Sequence, residues 1–271
     1  MTEQDIDFEA QYNNRARVPE HPTHMAAWHR DAAAYRAGAR CELDLAYGPG
    51  ERQRLDLFHP DSDSKAPVVF FIHGGYWQAL DKSSASHLAR GANLRGYSVA
   101  VPSYELAPGS TLAEIVACIE RAADFVAERT RRPLVVTGHS AGGHLAACLM
   151  TRRTGSFRPI RVGMPISGLF DLAPLVSTSV NKALGLTPEE ARRQSPLFRP
   201  PPEGRLVAVV GETESSEYHR QTSQLVESWS KAGIAACVEV IPGAHHFDVI
   251  AGLADPADPL VDILVGLAAD A

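Results

Sequence analysis

The sequence predicts an α/β fold, a mostly parallel sheet of about eight strands covered by helices on both faces. Three observations carry this expectation. Strand-length apolar runs alternate with longer helical stretches from about residue 67 onward. Most of those runs are continuous rather than alternating, as strands buried on both faces are. A Gly-His-Ser-Ala-Gly pentad joins one such run to the helix after it.

Taken in order, residues 1–40 are polar and aromatic, with a helix expected over Thr23 to Ala37, between Pro22 and Gly38. Cys41 to Tyr47 and Arg54 to His59 alternate apolar and polar residues around a GPGE turn, which predicts an antiparallel hairpin. Buried strands are expected at Pro67 to Ile72, Tyr97 to Val101, Leu134 to Thr137, Ile160 to Ile166, Leu206 to Val210 and Ala236 to Ile241. Helices are expected at Ser83 to Leu94, Leu112 to Arg129, Ala141 to Arg152, Glu217 to Ala232 and Pro259 to Ala269. The last has Asp258 as N-cap and Pro259 at its first position. Residues 169–204 break the rhythm with Pro174, Pro188, Pro196, Pro200, Pro201 and Pro202, and Thr187 there can cap a short helix. This interval reads as a cap excursion on one domain spanning 1–271, with 1–40 as an N-terminal arm or lid.

Composition narrows the function. The 32 acidic residues exceed the 26 basic ones, giving −6, so general binding of nucleic acid is not expected. No stretch approaches the ~20 apolar residues of a membrane helix. The start MTEQDIDFEA has neither the basic nor the apolar part of a secretory signal, so a cytoplasmic protein is expected. Cys41, Cys118, Cys148 and Cys237 are scattered, which suggests buried thiols rather than a zinc site or disulfides. His21, His24 and His29 cluster without a carboxylate pattern and read as residues of a surface helix. No metal and no cofactor are expected. A small-molecule substrate is, and a homodimer is possible.

The chemistry centres on Ser140 in Gly138-His139-Ser140-Ala141-Gly142. A serine on a sharp turn between strand and helix presents its hydroxyl to the crevice, and glycines two residues away on each side leave room for the turn. The helix beginning at Ala141 brings free N–H groups and positive potential. His73-Gly74-Gly75-Tyr76-Trp77 follows the third strand. Gly74, Gly75 and Ala141 are the expected oxyanion donors, since glycines allow the backbone to approach a substrate oxygen. His73 reads as a structural pin for this loop. Tyr76 and Trp77 read either as walls of an acyl or aryl pocket or as ordinary aromatic packing.

A serine needs a base. After the last strand the chain reads Pro242-Gly243-Ala244-His245-His246-Phe247. His246 is the expected base, on the argument that Phe247 packs beneath the sheet and holds the loop; His245 is the alternative. The acid is expected on the preceding loop, Gly211-Glu212-Thr213-Glu214-Ser215. Glu214 fits its tip and would hold the imidazole tautomer. Glu212, Glu217 and Asp171 are alternatives, with Glu217 better suited to the start of the next helix.

These motifs, in this order, resemble the α/β-hydrolase superfamily. The string HGGYW with Gln78 is similar to the kynurenine formamidase (arylformamidase) branch. So are Ser167-Gly168-Leu169-Phe170-Asp171-Leu172, Leu184-Gly185-Leu186 with Ser195-Pro196, and Gly211 to Ser215 leading to Arg220-Gln221. The likeness runs from about residue 40 to the end. An aspartate is usual in that branch where this chain has Glu214. Tyr12-Asn13-Asn14-Arg15 resembles bacterial relatives described only as hydrolases. The resemblance implies an α/β-hydrolase fold and hydrolysis of N-formylkynurenine to kynurenine and formate, or of small carboxyl esters; a carboxylesterase or thioesterase with the same machinery and a different pocket is the second reading. A hydrolase-fold protein that binds without turnover is the contrasting reading, and the full serine, acid and histidine set speaks against it.

Overall fold

The structure is a computed structural model that describes residues 6–152, 160–199 and 204–271. Pro200, Pro201 and Pro202 of the expected excursion, and the first five residues of the stretch read for a leader, lie outside the described residues.

The arm opens with two short helices, α1 (Phe8–Tyr12) and α2 (Asn14–Arg17), before α3 (His21–Gly38). Sequence reading missed the first two. Each is started by a side-chain cap, Asp7 accepting from Ala10 N–H and Asn13 from Ala16 N–H. The hairpin strands are β1 (Cys41–Ala46) and β2 (Arg54–Phe58), antiparallel as expected. Strand β3 spans Val68–Ile72.

The helix expected over Ser83 to Leu94 is instead two 3-10 turns, Lys82–Ser84 and Ser86–Ala89, followed by a short α4 (Arg90–Leu94). The serines explain it. Ser84 and Ser86 hydroxyls donate to the carbonyls of Asp81 and Lys82 at 2.7 and 3.1 Å. Such local bonds compete with the α-helical ladder.

The remaining elements are β4 (Val99–Pro102), α5 (Leu112–Thr130), β5 (Leu134–His139), α6 (Ala141–Met150), β6 (Val162–Ile166), α7 (Asn181–Leu184), α8 (Pro188–Gln194), β7 (Arg205–Gly211), α9 (Ser216–Lys231), β8 (Ala235–Ile241) and α10 (Pro259–Ala268). Thr187 and Asp258 cap α8 and α10 as their sequences predict. The eight strands form one sheet in the order β1-β2-β4-β3-β5-β6-β7-β8. Pairing is parallel from β4 to β8 and antiparallel among β1, β2 and β4.

Period-two alternation sends strand side chains to two cores. Phe70, Ile72, Val136, Ala208 and Val210 pack with α5, α6 and α9 on one face. Val69, Phe71, Val135, Val207 and Val209 pack with α10 on the other. The strand at Ala235–Ile241 departs from the doubly buried expectation. It is the sheet edge, and Val240 is 41% exposed. The segment between β6 and β7 carries α7, α8 and two 3-10 turns, and Gln78 Nε2 donates to its Val180 carbonyl at 2.9 Å.

Candidate active site

Ser140 sits between β5 and α6 with φ 57°, in the left-handed region that a non-glycine residue rarely occupies. Its neighbours explain how the turn is held. A Cβ on Gly142 would lie 2.0 Å from the Ile72 carbonyl oxygen, and one on Gly138 would lie 2.5 Å from the Gly142 carbonyl oxygen. Both positions admit only glycine, so the turn closes against the end of β3. Ser140 N–H donates to the Ile166 carbonyl at 2.9 Å, which ties the turn to β6.

The loop after β3 lies against this turn. The place of a Gly74 Cβ is 3.2 Å from Ser140 Cβ, and Gly75 has φ +105°. Gly75 lines the same cavity as Ser140. Its carbonyl is turned into the loop, accepting from Gln78 and Ala79 N–H groups. Ala141 is the first residue of α6, where N–H groups have no acceptor within the helix. His73 is buried, donates from Nδ1 to the Gly74 carbonyl at 2.8 Å and stacks on Tyr104 at 4.3 Å. Burial lowers its pKa to about 4. It therefore stays neutral and pins the loop.

His246 and Glu214 meet. His246 Nδ1 lies 2.7 Å from Glu214 Oε2. A carboxylate only accepts, so the imidazole carries a proton on Nδ1, and its Nε2 is the nitrogen turned away from Glu214. Glu214 Oε1 accepts Gly211 N–H at 2.8 Å and the Ser167 hydroxyl. Burial alone would raise the pKa of this carboxyl. The neighbouring His246, the Ser167 hydroxyl and the Gly211 N–H outweigh it, and the net direction is downward.

The alternatives are engaged elsewhere. His245 is tied to Asp248, 3.0 Å away within its own turn. Glu212 accepts Gly243 N–H at 2.7 Å, and Asp171 accepts Ala173 N–H at 3.1 Å. Glu217 is held by Arg220 and by the Tyr12 hydroxyl, which donates to it at 2.7 Å.

A cavity of about 530 Å³ opens over Ser140, within the usual range for small-molecule sites. His139, His246, Gly75 and Tyr76 line its floor and walls. Tyr12, Asn14 and Trp28 of the arm, with Thr178 to Val180 of the excursion, enclose it from above. Burial, reinforced by the adjacent His246, lowers the His139 pKa to about 3, so His139 brings no charge to the wall.

Two expectations are corrected. Trp77 is not a pocket wall. It is fully buried in the core, edge-on to His144 at 5.0 Å, and does not line the cavity. Tyr76, beside it in the chain, is the aromatic residue of this loop that lines the crevice. Phe247 does not pack beneath the sheet. It stacks on Trp28 at 5.9 Å and meets His21 at 5.6 Å, so the histidine loop is braced by the arm. His24 likewise meets His245 at 4.8 Å. Among the described residues, no group of three His, Cys, Asp or Glu side chains is placed to hold a metal ion.

Sequence reading gave no role to Ser167, Tyr218, Tyr12, Asn14 or Trp28. Ser167 has a visible signal, a Ser-Gly pair closing β6 beside the serine strand, and its φ of 49° directs its hydroxyl to Glu214. For Tyr12 and Asn14 the signal is the Tyr12-Asn13-Asn14-Arg15 string alone, which does not tell their partners, Glu217 and Tyr218, about 200 positions away.

A family model, BD-FAE, matches residues 55–157. The chain is 30% identical over 256 residues to the kynurenine formamidase of Salmo salar, covering 90% of this chain and 87% of that protein. A solved structure of a candidate thioesterase from Silicibacter sp. TM1040 is 36% identical, with TM-score 0.90 over 96% of this chain and 99% of the other. A Pyrobaculum calidifontis esterase shares the fold, with TM-score 0.73 at 18% identity and 92% of each chain covered.

Proposed function

The chain belongs to the kynurenine formamidase family of α/β-hydrolases, and on that premise we propose that it is a serine hydrolase acting on an aryl formamide, N-formylkynurenine above all. The observation that carries this reading is the seating of Ser140 and His246, with His246 bound to Glu214, on one cavity beside Gly75.

The reaction follows from those positions. Ser140 Oγ attacks the formyl carbon while His246 Nε2 takes its proton. The carbonyl oxygen becomes an oxyanion held by the N–H groups of Ala141 and Gly75, with Gly74 beside them; each such donor lowers the barrier by about 3 kcal/mol. His246 returns the proton to the departing aryl amine, and the C–N bond breaks. Water, deprotonated by His246, then attacks the formyl-serine ester, and formate leaves as Ser140 regains its proton. Glu214 holds the productive tautomer and stabilises the imidazolium.

A carboxylesterase or thioesterase is the second reading. The 36%-identical candidate thioesterase favours it, as does a cavity larger than a formyl group requires. Comparing kcat/KM for N-formylkynurenine with p-nitrophenyl acetate and butyrate separates the two. A formamide no better than the esters rejects the first reading.

We further propose that residues 1–271 act as one catalytic unit in which the arm and the 169–204 excursion form the lid. The cavity-lining residues of both segments support this. Among the described residues no helix is long and apolar enough to cross a membrane, and the four cysteines are free thiols. We carry forward a cytoplasmic enzyme with a small-molecule substrate, and a homodimer as the assembly to test by gel filtration.

A further inference from the structure

We propose that Arg15 of the N-terminal arm sets specificity by binding a carboxylate on the leaving group of the substrate, while Met25 and Trp28 pack the ring of that leaving group. The inference deepens the proposed function and rests on it. If the acyl part is as small as formyl, a cavity of about 530 Å³ is filled by the leaving group. The side chains that line the cavity then describe that leaving group.

The apolar part of the lining belongs largely to the arm. Met25 and Trp28 stand three positions apart on α3, so they share a face, and both line the cavity half-buried. Trp28 is stacked with Phe247 at 5.9 Å and edge-on to His139 at 6.3 Å. A ring braced by two others offers a rigid surface to an aryl group.

The polar part carries charge. Among the described residues that line the cavity, Glu9 and Arg15 are the side chains ionised throughout the neutral range. Glu9 is committed to the excursion. Its carboxylate accepts the Ser179 N–H at 2.7 Å and the Ser179 hydroxyl at 2.8 Å, and also Asn13 Nδ2 at 3.3 Å. Arg15 is exposed and has no hydrogen-bond or ion-pair partner among the described residues. Its N–H donors are therefore free for a ligand.

The chain around Arg15 is nonetheless fixed. Asn14 is buried and donates to the Tyr218 hydroxyl at 2.8 Å, and the Tyr12 hydroxyl donates to Glu217 at 2.7 Å. Asn13 accepts the Ala16 N–H at 3.1 Å and starts the short helix that holds Arg15. The guanidinium is thus rooted at the cavity while its donors stay open. A guanidinium fork pairs bidentately with a carboxylate, which a neutral group cannot match. The net charge of −6 gives an anion no general attraction, so a preference for one has to come from this local cation.

The test uses matched substrates that differ only in this charge: N-formylkynurenine against its carboxamide, and p-acetoxyhydrocinnamate against p-acetoxyhydrocinnamamide. The wild type should favour the carboxylate of each pair in kcat/KM by about 5- to 20-fold, between the effect of an exposed ion pair and that of a charge-assisted hydrogen bond. The preference should lie in KM rather than kcat, since the contact is made before and during reaction, and should shrink as salt rises. Arg15→Gln should bring the members of each pair together by raising KM for the carboxylate, and Arg15→Lys should keep part of the preference. Arg17 is a cation of the same short helix outside the cavity lining, and Arg17→Gln should leave the preference intact. Equal kcat/KM within the wild-type pairs, or a full preference in Arg15→Gln, overturns the proposal. Turnover confined to the esters, with the carboxylate still favoured, rejects the formamide reading and supports the role of Arg15. Failure of a fluorophosphonate probe to label the wild-type chain overturns the serine reading beneath both.

Discussion

Replacing Glu214 by glutamine tests the proposed mechanism through hydrogen-bond geometry alone. Glu214 Oε1 receives Gly211 N–H at 2.8 Å, and only an oxygen can occupy that position. The amide oxygen of the introduced glutamine must therefore face Gly211, and its NH₂ must face Nδ1 of His246, where Oε2 stood 2.7 Å away. An NH₂ donates, so Nδ1 becomes the acceptor and the ring proton moves to Nε2. The imidazole then meets Ser140 as a donor and cannot take its proton. The same inversion in Ser-His-Asp enzymes lowers kcat by about 10⁴, or about 5.5 kcal/mol of barrier. The assay is steady-state turnover of N-formylkynurenine and of p-nitrophenyl acetate. Both should fall together with little change in KM, because the base and not the pocket is altered. Glu214→Asp keeps the charge and should retain far more activity than Glu214→Gln. A Glu214→Gln enzyme within about tenfold of wild type would refute the role assigned to this carboxylate.

Ser140→Ala should abolish turnover and probe labelling while circular dichroism and the melting temperature stay close to wild type; retained turnover would exclude the serine mechanism. Gly142→Ala should cost about 3 kcal/mol or more, the upper range for overpacking, because its methyl would sit 2.0 Å from the Ile72 carbonyl oxygen. Denaturant unfolding measures this, and an unchanged midpoint would show that the turn relaxes freely. The lowered Glu214 pKa also predicts an acid limit to stability. An unfolded glutamate protonates near pH ~4.3, and the folded site does so only at lower pH. The unfolded chain therefore binds more protons as pH falls through this window, so stability falls with it. Melts from pH 6 to 3 should show a shallower loss for Glu214→Gln, and equal slopes would argue against this linkage.

Some features are written in short stretches of chain. Gly138 and Gly142 flank a serine at the end of an apolar run, and sterics allow that spacing one sharp turn. Thr187 and Asp258 announce their helices through capping chemistry within three residues. Other features resist such reading. Two adjacent histidines look alike in sequence; in the fold, His246 reaches Glu214 while His245 bonds within its own turn. Tyr76 and Trp77 stand side by side after two glycines and look alike as wall residues, but only Tyr76 lines the cavity, and Trp77 is buried in the core. The serines after Asp81 look compatible with a helix, and their back-bonding shortens it.

The sequence by itself determined the doubly covered sheet, the sharp serine turn and the glycine loop beside it, because periodicity and steric exclusion act over a few residues. Tertiary structure decided what surrounds them. Tyr12 reaches Glu217 and Asn14 reaches Tyr218 across more than 200 positions, and Phe247 stacks on Trp28 of the arm. No local pattern encodes those contacts, since they exist only once the arm lies against α9 and the loop after β8. The cavity over Ser140 is a product of that assembly, and the arm forms part of its wall.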